Sequence, residues 1–216
     1  MGSSYALIGA MGRRSASWRV RVALPVAAVS AASVAGAVGL YQLVAPAAAA
    51  PLWHVSRAPK LAVDVAAGCP KSVRGYRDVV NTFPGPPLVP AGPVSGMICR
   101  YWPSYSPRRA DALARQRHLG TADARKLARA VRELDLSAPT GALACPADFG
   151  TVALIGFSYP NRPDVGLWYD ASGCQSVDNG RLGASEPGNP TFYVGFLGLV
   201  NRLSPPVAAV PAAGPA

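Results

Sequence analysis

The sequence predicts an α+β domain, an antiparallel sheet of three to five strands with two packed helices, preceded by one N-terminal transmembrane or signal helix. Three observations carry this reading. A charge-free run spans residues 22–44, apolar residues recur at helical spacing over 121–134, and two strand-like runs flank the turn-rich link Pro160-Asn161-Arg162-Pro163. Half of the 216 residues are apolar and 15% are charged, which is enough apolar surface to offset the entropy of ordering and argues against a disordered chain. The length argues against a multidomain enzyme.

The basic segment 1–21 holds Arg13, Arg14, Arg19 and Arg21 and no acid. The apolar segment 22–44 that follows is long enough to cross a bilayer. By the positive-inside rule the N-terminus stays cytoplasmic and everything after Val44 lies outside. Small residues from Ala45 to Ala50 suit signal peptidase, so two outcomes are expected: a single-pass membrane protein, or a protein secreted after cleavage near Ala47 to Ala50. Residues 45–68 read as a linker, 69–203 as the extracytoplasmic α+β domain, and 204–216 as a disordered Pro/Ala tail.

Within the domain, Gly75 to Thr82 reads as a short helix or an extended stretch, and the prolines of 84–87 end it. Leu88 to Pro93 is extended or an edge, because proline removes ladder donors, and Met97 to Trp102 has the β-branched and aromatic content of a strand. Thr121 to Leu134 is a helix, with Ala124, Leu127, Ala128, Val131 and Leu134 on one side and Arg125, Lys126, Arg129 and Arg132 on a solvated face. Thr121 is its expected N-cap. Thr151 to Tyr159 and Asp164 to Asp170 form a hairpin, and Gln175 to Leu182 adds a strand turning at Asn179-Gly180. Thr191 to Leu203 is the second helix with Pro190 near N1, although Gly195 and Gly198 weaken it by about 1 kcal/mol each.

All four cysteines, Cys69, Cys99, Cys145 and Cys174, fall on the outer side, where disulfides persist. Their wide spacing does not suit zinc, which normally shows a close C-x2-C pair. Three connectivities are open. Antiparallel pairing about the 160–163 turn brings Cys145 near Cys174, which leaves Cys69 with Cys99.

The search for chemistry finds no catalytic, cofactor-binding or metal-binding residues. His54 lies in the linker and His118 in an Arg-rich segment, each without a carboxylate or nucleophile partner in the sequence. No nucleophile elbow, P-loop, dinucleotide fingerprint or metal motif is present. Asp170 and Asp178 read as surface-turn acids. Tyr101 and Trp168 are the aromatics nominated for a binding groove, with core packing as the competing role. From residue 51 onward 17 basic residues stand against 11 acidic ones. Outside the cell that balance suits a cell-envelope polymer, lipid head groups or a protein partner, not nucleic acid. The membrane itself is a partner through 22–44 if that segment is uncleaved.

Several motifs together, Leu88-Val89-Pro90, Cys99-Arg100-Tyr101, Cys145-Pro146-Ala147-Asp148-Phe149-Gly150, Phe157-Ser158-Tyr159-Pro160 and Gly173-Cys174, resemble a family of exported or membrane-anchored proteins of high-GC actinobacteria. The resemblance covers about residues 69–182 and implies an extracytoplasmic domain with no catalytic residues to carry over. Cys145-Pro146-Ala147-Asp148, closed by Cys174, is also similar to the reactive loop of the actinobacterial subtilisin-inhibitor family. That implies an exported protease inhibitor as the alternative function. Asp148 and Gly150 depart from that family's hydrophobic stretch, and the first cysteine pair is spaced more widely.

Overall fold

The computed structural model describes residues 50–207 apart from 56, 108, 140–143 and 188. The expectations for segments 1–21 and 22–44 and for most of the tail lie outside the described residues. Among the described residues no helix is long and apolar enough to cross a membrane.

The elements run β1 (Lys60–Leu61), β2 (Asp78–Val79), β3 (Ser95–Tyr101), β4 (Leu113–Leu119), α1 (Thr121–Arg132), β5 (Val152–Tyr159), β6 (Arg162–Asp170), β7 (Ser176–Asp178) and β8 (Gly183–Ser185). A π-helical segment, Phe192–Leu197, then continues into α2 (Gly198–Leu203). Strands β3 to β8 build one antiparallel sheet in the order β4-β3-β5-β6-β7-β8, and β1 and β2 pair in parallel as a second, small sheet. The class is the expected α+β. The main sheet has six strands where three to five were expected, because β4 escapes the apolar pattern. Its Arg115, Gln116, Arg117 and His118 are all exposed on an edge strand, where charge blunts unwanted pairing.

Strand alternation sends side chains to two cores. Ile98, Ala153, Ile155, Phe157, Leu167, Tyr169 and Val177 meet the helices, whose Leu127, Val131, Phe192, Phe196 and Val200 close that layer. Met97, Cys99, Tyr101, Leu154 and Trp168 point the other way, to Val65, Val73 and Val79. The helix α1 buries Ala124, Leu127, Ala128 and Val131, as its periodicity requires. Its N-cap is Gly120, not Thr121; the Thr121 hydroxyl donates instead to the Val94 carbonyl at 2.6 Å and ties the helix start to the approach to β3.

The second helix opens with a π-helical turn around Gly195, and this wider turn places Phe192 and Phe196 together, 5.2 Å between ring centroids. Both rings pack against Tyr169. Beside them, Arg100 is buried and reaches across the layer. Its Nε and Nη2 donate to the Ser204 carbonyl at 3.2 and 2.9 Å, and Nη2 also donates to Asn201 Oδ1 at 2.9 Å.

Part of the expected linker belongs to the fold. From Leu52 to Val55 the chain runs as a strap along the start of β8, with Arg57 just beyond it: Gly183 N–H donates to the Trp53 carbonyl at 3.0 Å, and Val55 N–H to the Arg181 carbonyl at 2.7 Å. The strap therefore covers the sheet edge that β8 would otherwise leave open. Further on, Val63 and Val65 sit in a dent made by the cross-strand pair Gly156 and Gly166. A Cβ on Gly166 would stand 2.5 Å from Val63 Cγ2, and one on Gly156 would stand 2.9 Å from Val65 Cγ2. The apolar alternation of 61–65 supplies the physical reason, since Leu61, Val63 and Val65 need a surface and the paired glycines provide one.

Both disulfides join the expected partners, Cys69 to Cys99 and Cys145 to Cys174. The second closes the ends of the β5–β6 hairpin, which places the two cysteines 4.7 Å apart at Cα. Two disulfides among the described residues fit an oxidising, extracytoplasmic environment.

Candidate functional site

The sheet face turned away from the helices carries, over β6 to β8, Trp168, Asp170, Ser176, Asp178 and Ser185. The register aligns Trp168 with Asp178, Asp170 with Ser176, and Ser176 with Ser185. A strand with polar residues at every second position is what a second packed layer or a site requires. Here the face receives the strap, whose Arg57 Nη1 donates to Asp170 Oδ2 at 2.7 Å. Asp170 has its other contacts fixed as well: Oδ1 accepts from Trp168 Nε1 at 2.8 Å, and Oδ2 accepts from Ser176 Oγ at 3.2 Å. Burial by itself would lower the Arg57 pKa; the hydrogen bond and charge of Asp170 outweigh it, and the guanidinium is held above its usual value.

This pair divides a groove. On one side a cavity of about 220 Å³ is lined by Arg57, Tyr76, Arg77, Asp148, Trp168 and Asp170, among others. On the other side a cavity of about 310 Å³ is lined by Trp53, Arg57, Asp148, Asp170, Ser172 and the Cys145–Cys174 bridge, among others. The loop 144–149 overhangs both and is exposed throughout. Its Asp148 Oδ1 accepts from Gly150 N–H at 2.8 Å and from Ser172 Oγ at 2.6 Å, which fixes the carboxylate over the groove. Phe149, 55% exposed, rests edge-on against Tyr105.

Beside the groove, under β1 and β2, lies a buried pair of acids. Asp78 and Asp178 are both buried there, and Lys60 Nζ reaches both the Gly180 carbonyl and, at 3.9 Å, Asp78 Oδ2. Burial, reinforced by Asp78, pushes the Asp178 carboxyl up to about 9. The turn that follows brings Gly180, at φ +81, so close to the Val79 carbonyl that a Cβ would stand 2.1 Å from its oxygen. Only glycine fits there.

Chemically, the groove offers fixed acceptors on Asp148 and Asp170, donors on Arg57 and the hydroxyl of Ser185, and indole surface from Trp53. Such a lining recognises hydroxyl-rich or peptide-like ligands. Among the described residues no group of three or more His, Cys, Asp or Glu side chains is placed to hold a metal ion. His54 and His118 are both exposed; His54 is in a backbone bridge with Leu182, and the His118 ring contacts Gln116.

Of the two nominated aromatics, Trp168 lies at the groove, 3% exposed with its indole N–H spent on Asp170. Tyr101 does not. It is fully buried in the second core, its hydroxyl donates to the Pro70 carbonyl at 3.2 Å, and burial raises its pKa well above the phenolic range. The reading of Asp170 and Asp178 as surface-turn acids is corrected too, since Asp170 is ion-paired in the groove and Asp178 is 1% exposed. Sequence reasoning passed over Arg57 and Asp78. A signal for Asp78 existed, an acid set against the apolar Val79-Val80 pair, whereas nothing local marks Arg57, whose partner is 113 positions away. In comparisons with known proteins, no family model, curated protein or solved structure matches the chain.

Proposed function

We propose that this is an extracytoplasmic binding domain, membrane-anchored or secreted, that takes an envelope glycan in the groove centred on Arg57 and Asp170. The observation that carries the reading is the groove itself, two adjoining cavities that share Arg57, Asp148 and Asp170, one of them flanked by Trp53. Carboxylates whose oxygens are already fixed by Trp168, Ser176, Ser172 and Gly150 are preorganised acceptors for sugar hydroxyls, and the half-buried Trp53 offers indole surface to the apolar face of a sugar ring. The basic balance of the chain beyond residue 51 adds attraction to anionic envelope material. The resemblance to exported actinobacterial proteins agrees with the compartment.

The test is co-sedimentation of the protein with purified insoluble cell-wall polymer, comparing wild type with Arg57→Ala and Asp148→Asn. Each substitution should weaken binding about tenfold, the equivalent of one charge-assisted hydrogen bond. Equal sedimentation of all three proteins would refute the assignment.

A second reading, an exported protease inhibitor, is favoured by one observation: the loop 144–149 is extended, exposed and braced by a disulfide. Inhibition assays against a subtilisin-type protease decide it, because substitutions at Ala147 should abolish inhibition and spare binding to cell-wall polymer if the loop is the reactive element.

A further inference from the structure

We propose that Asp78 and Asp178 form a proton-operated latch: one proton shared by the two carboxyls holds β2, and with it β1, against the main sheet at β7, and its loss loosens that small sheet beside the groove. The latch is independent of what the groove binds.

Asp78 is 0% exposed and Asp178 1%. One oxygen of each is engaged, Asp78 Oδ1 by Val79 N–H at 2.7 Å and Asp178 Oδ1 by Gly180 N–H at 2.9 Å. Oδ2 of each has no hydrogen-bond partner among the described residues. Two ionised carboxylates out of water and side by side repel each other and lose their hydration. A proton carried by one carboxyl removes the repulsion and supplies the donor that the other lacks.

The charged groups around the pair do not replace that proton. From β1, Lys60 Nζ stands 3.9 Å from Asp78 Oδ2, beyond hydrogen-bonding distance, and donates to the Gly180 carbonyl. From the strap, Arg57 is bound to Asp170, which in turn represents β6. From the 179–182 turn, Arg181 donates to the Pro84 carbonyl. The strand β8, Gly183-Ala184-Ser185, brings no charge.

The parts joined by the latch differ in strength. β1 and β2 are two residues each, and little more than Val80 N–H on the Leu61 carbonyl and Arg77 N–H on the Pro59 carbonyl, each at 2.9 Å, extends their pairing. Strands β5 and β6 pair over most of their length in the centre of the main sheet. Opening of β2 is therefore a local event that need not unfold the rest. In the open form the Asp178 carboxyl returns to an ordinary value near 4, so each pH unit between there and the closed-state value favours opening by up to tenfold.

The experiment is amide hydrogen exchange by NMR on the full-length chain at several pH values from about 5 to 8, taking the protection of the Val80 amide with its intrinsic exchange rate divided out. That protection should fall by up to tenfold per pH unit in the wild type while staying below that of amides in β5 and β6. It should be flat in Asp178→Asn, whose amide donates to Asp78 at every pH. Flat protection of Val80 in the wild type, or an equal slope in Asp178→Asn, overturns the latch. If Asp178→Asn does not fold, Asp78→Asn serves the same test, with the roles of the two carboxyls exchanged.

Discussion

Truncating Arg100 tests how a buried cation without a carboxylate contributes to this fold. Arg100 is 2% exposed, and among the described residues its guanidinium donates to the Ser204 carbonyl and to Asn201 Oδ1. Ser204 is the C-cap of α2, so the charge also meets the negative end of that helix. The Tyr169 ring lies 5.8 Å from the guanidinium carbon. Burial works against all of this and lowers the Arg100 pKa. Hydrogen bonds to a charged group contribute about 1.5–3 kcal/mol each, and desolvation of the ion removes several kcal/mol from the total. Arg100→Ala leaves the buried Ser204 carbonyl and the half-buried Asn201 Oδ1 without their donor and a cavity beside Tyr169, so it should cost about 3–4 kcal/mol. For a domain of this size that lowers Tm by about 10 °C. Arg100→Lys keeps the charge and loses the fork, and should fall between the two. Urea unfolding followed by tryptophan fluorescence measures it, as a shift of Cm at unchanged m. A loss below about 1 kcal/mol in Arg100→Ala would mean that desolvation cancels the hydrogen bonds, and the reasoning fails.

Four further outcomes are expected. Because the carboxyl of Asp178 is raised by burial and by Asp78 to about 9, the folded state binds a proton that the unfolded chain releases near pH 4; stability is greatest below that value and falls as pH rises toward 9, by no more than about 1.4 kcal/mol per pH unit, and thermal melts of Asp178→Asn should show a shallower slope. Replacing Cys145 and Cys174 together by Ser should cost roughly 3–4 kcal/mol in the chain-entropy model, and a loss under 1 kcal/mol would contradict it. Gly166→Ala pushes against Val63 and should cost about 1–3 kcal/mol, most of it recovered in a Gly166→Ala, Val63→Ala double variant if the dent is the cause. Replacing both exposed histidines, His54 and His118, by Ala should change stability by no more than about 0.5 kcal/mol each in denaturant titration.

What the sequence made legible follows from how local each signal is. The helix α1 is written in five apolar residues at helical spacing, and the β5–β6 hairpin in two apolar runs about a proline-rich turn. That hairpin also fixed the Cys145–Cys174 pairing, because its register brings the flanking residues together. By contrast β4 is polar on both faces apart from its ends, and β1 and β2 are too short to show any period. The groove was legible only at Trp168. Its other members, Arg57 from the strap, Asp148 from a loop and Asp170 from β6, meet through long-range topology, and no local spacing announces their meeting. The buried acids misled for a related reason: Asp178 stands next to a turn sequence, Asn179-Gly180, that reads as surface, but β2 lies over it.

The strap also sets the order in which the molecule can be completed. Leu52 and His54 bridge to Ser137 and Leu182, and Lys60 reaches Gly180 across 120 positions. During synthesis these first residues of the domain emerge long before their partners: Val63 and Val65 have no glycine dent to fill until Gly156 and Gly166 are made, and the strap has no edge to cover until 181–183 are made. Contacts of such sequence separation are slow to close. A nascent chain halted before residue 156 would therefore present Val55, Val63 and Val65 to its surroundings, and the apolar stretch that ends packed on the sheet begins as the part most in need of a chaperone.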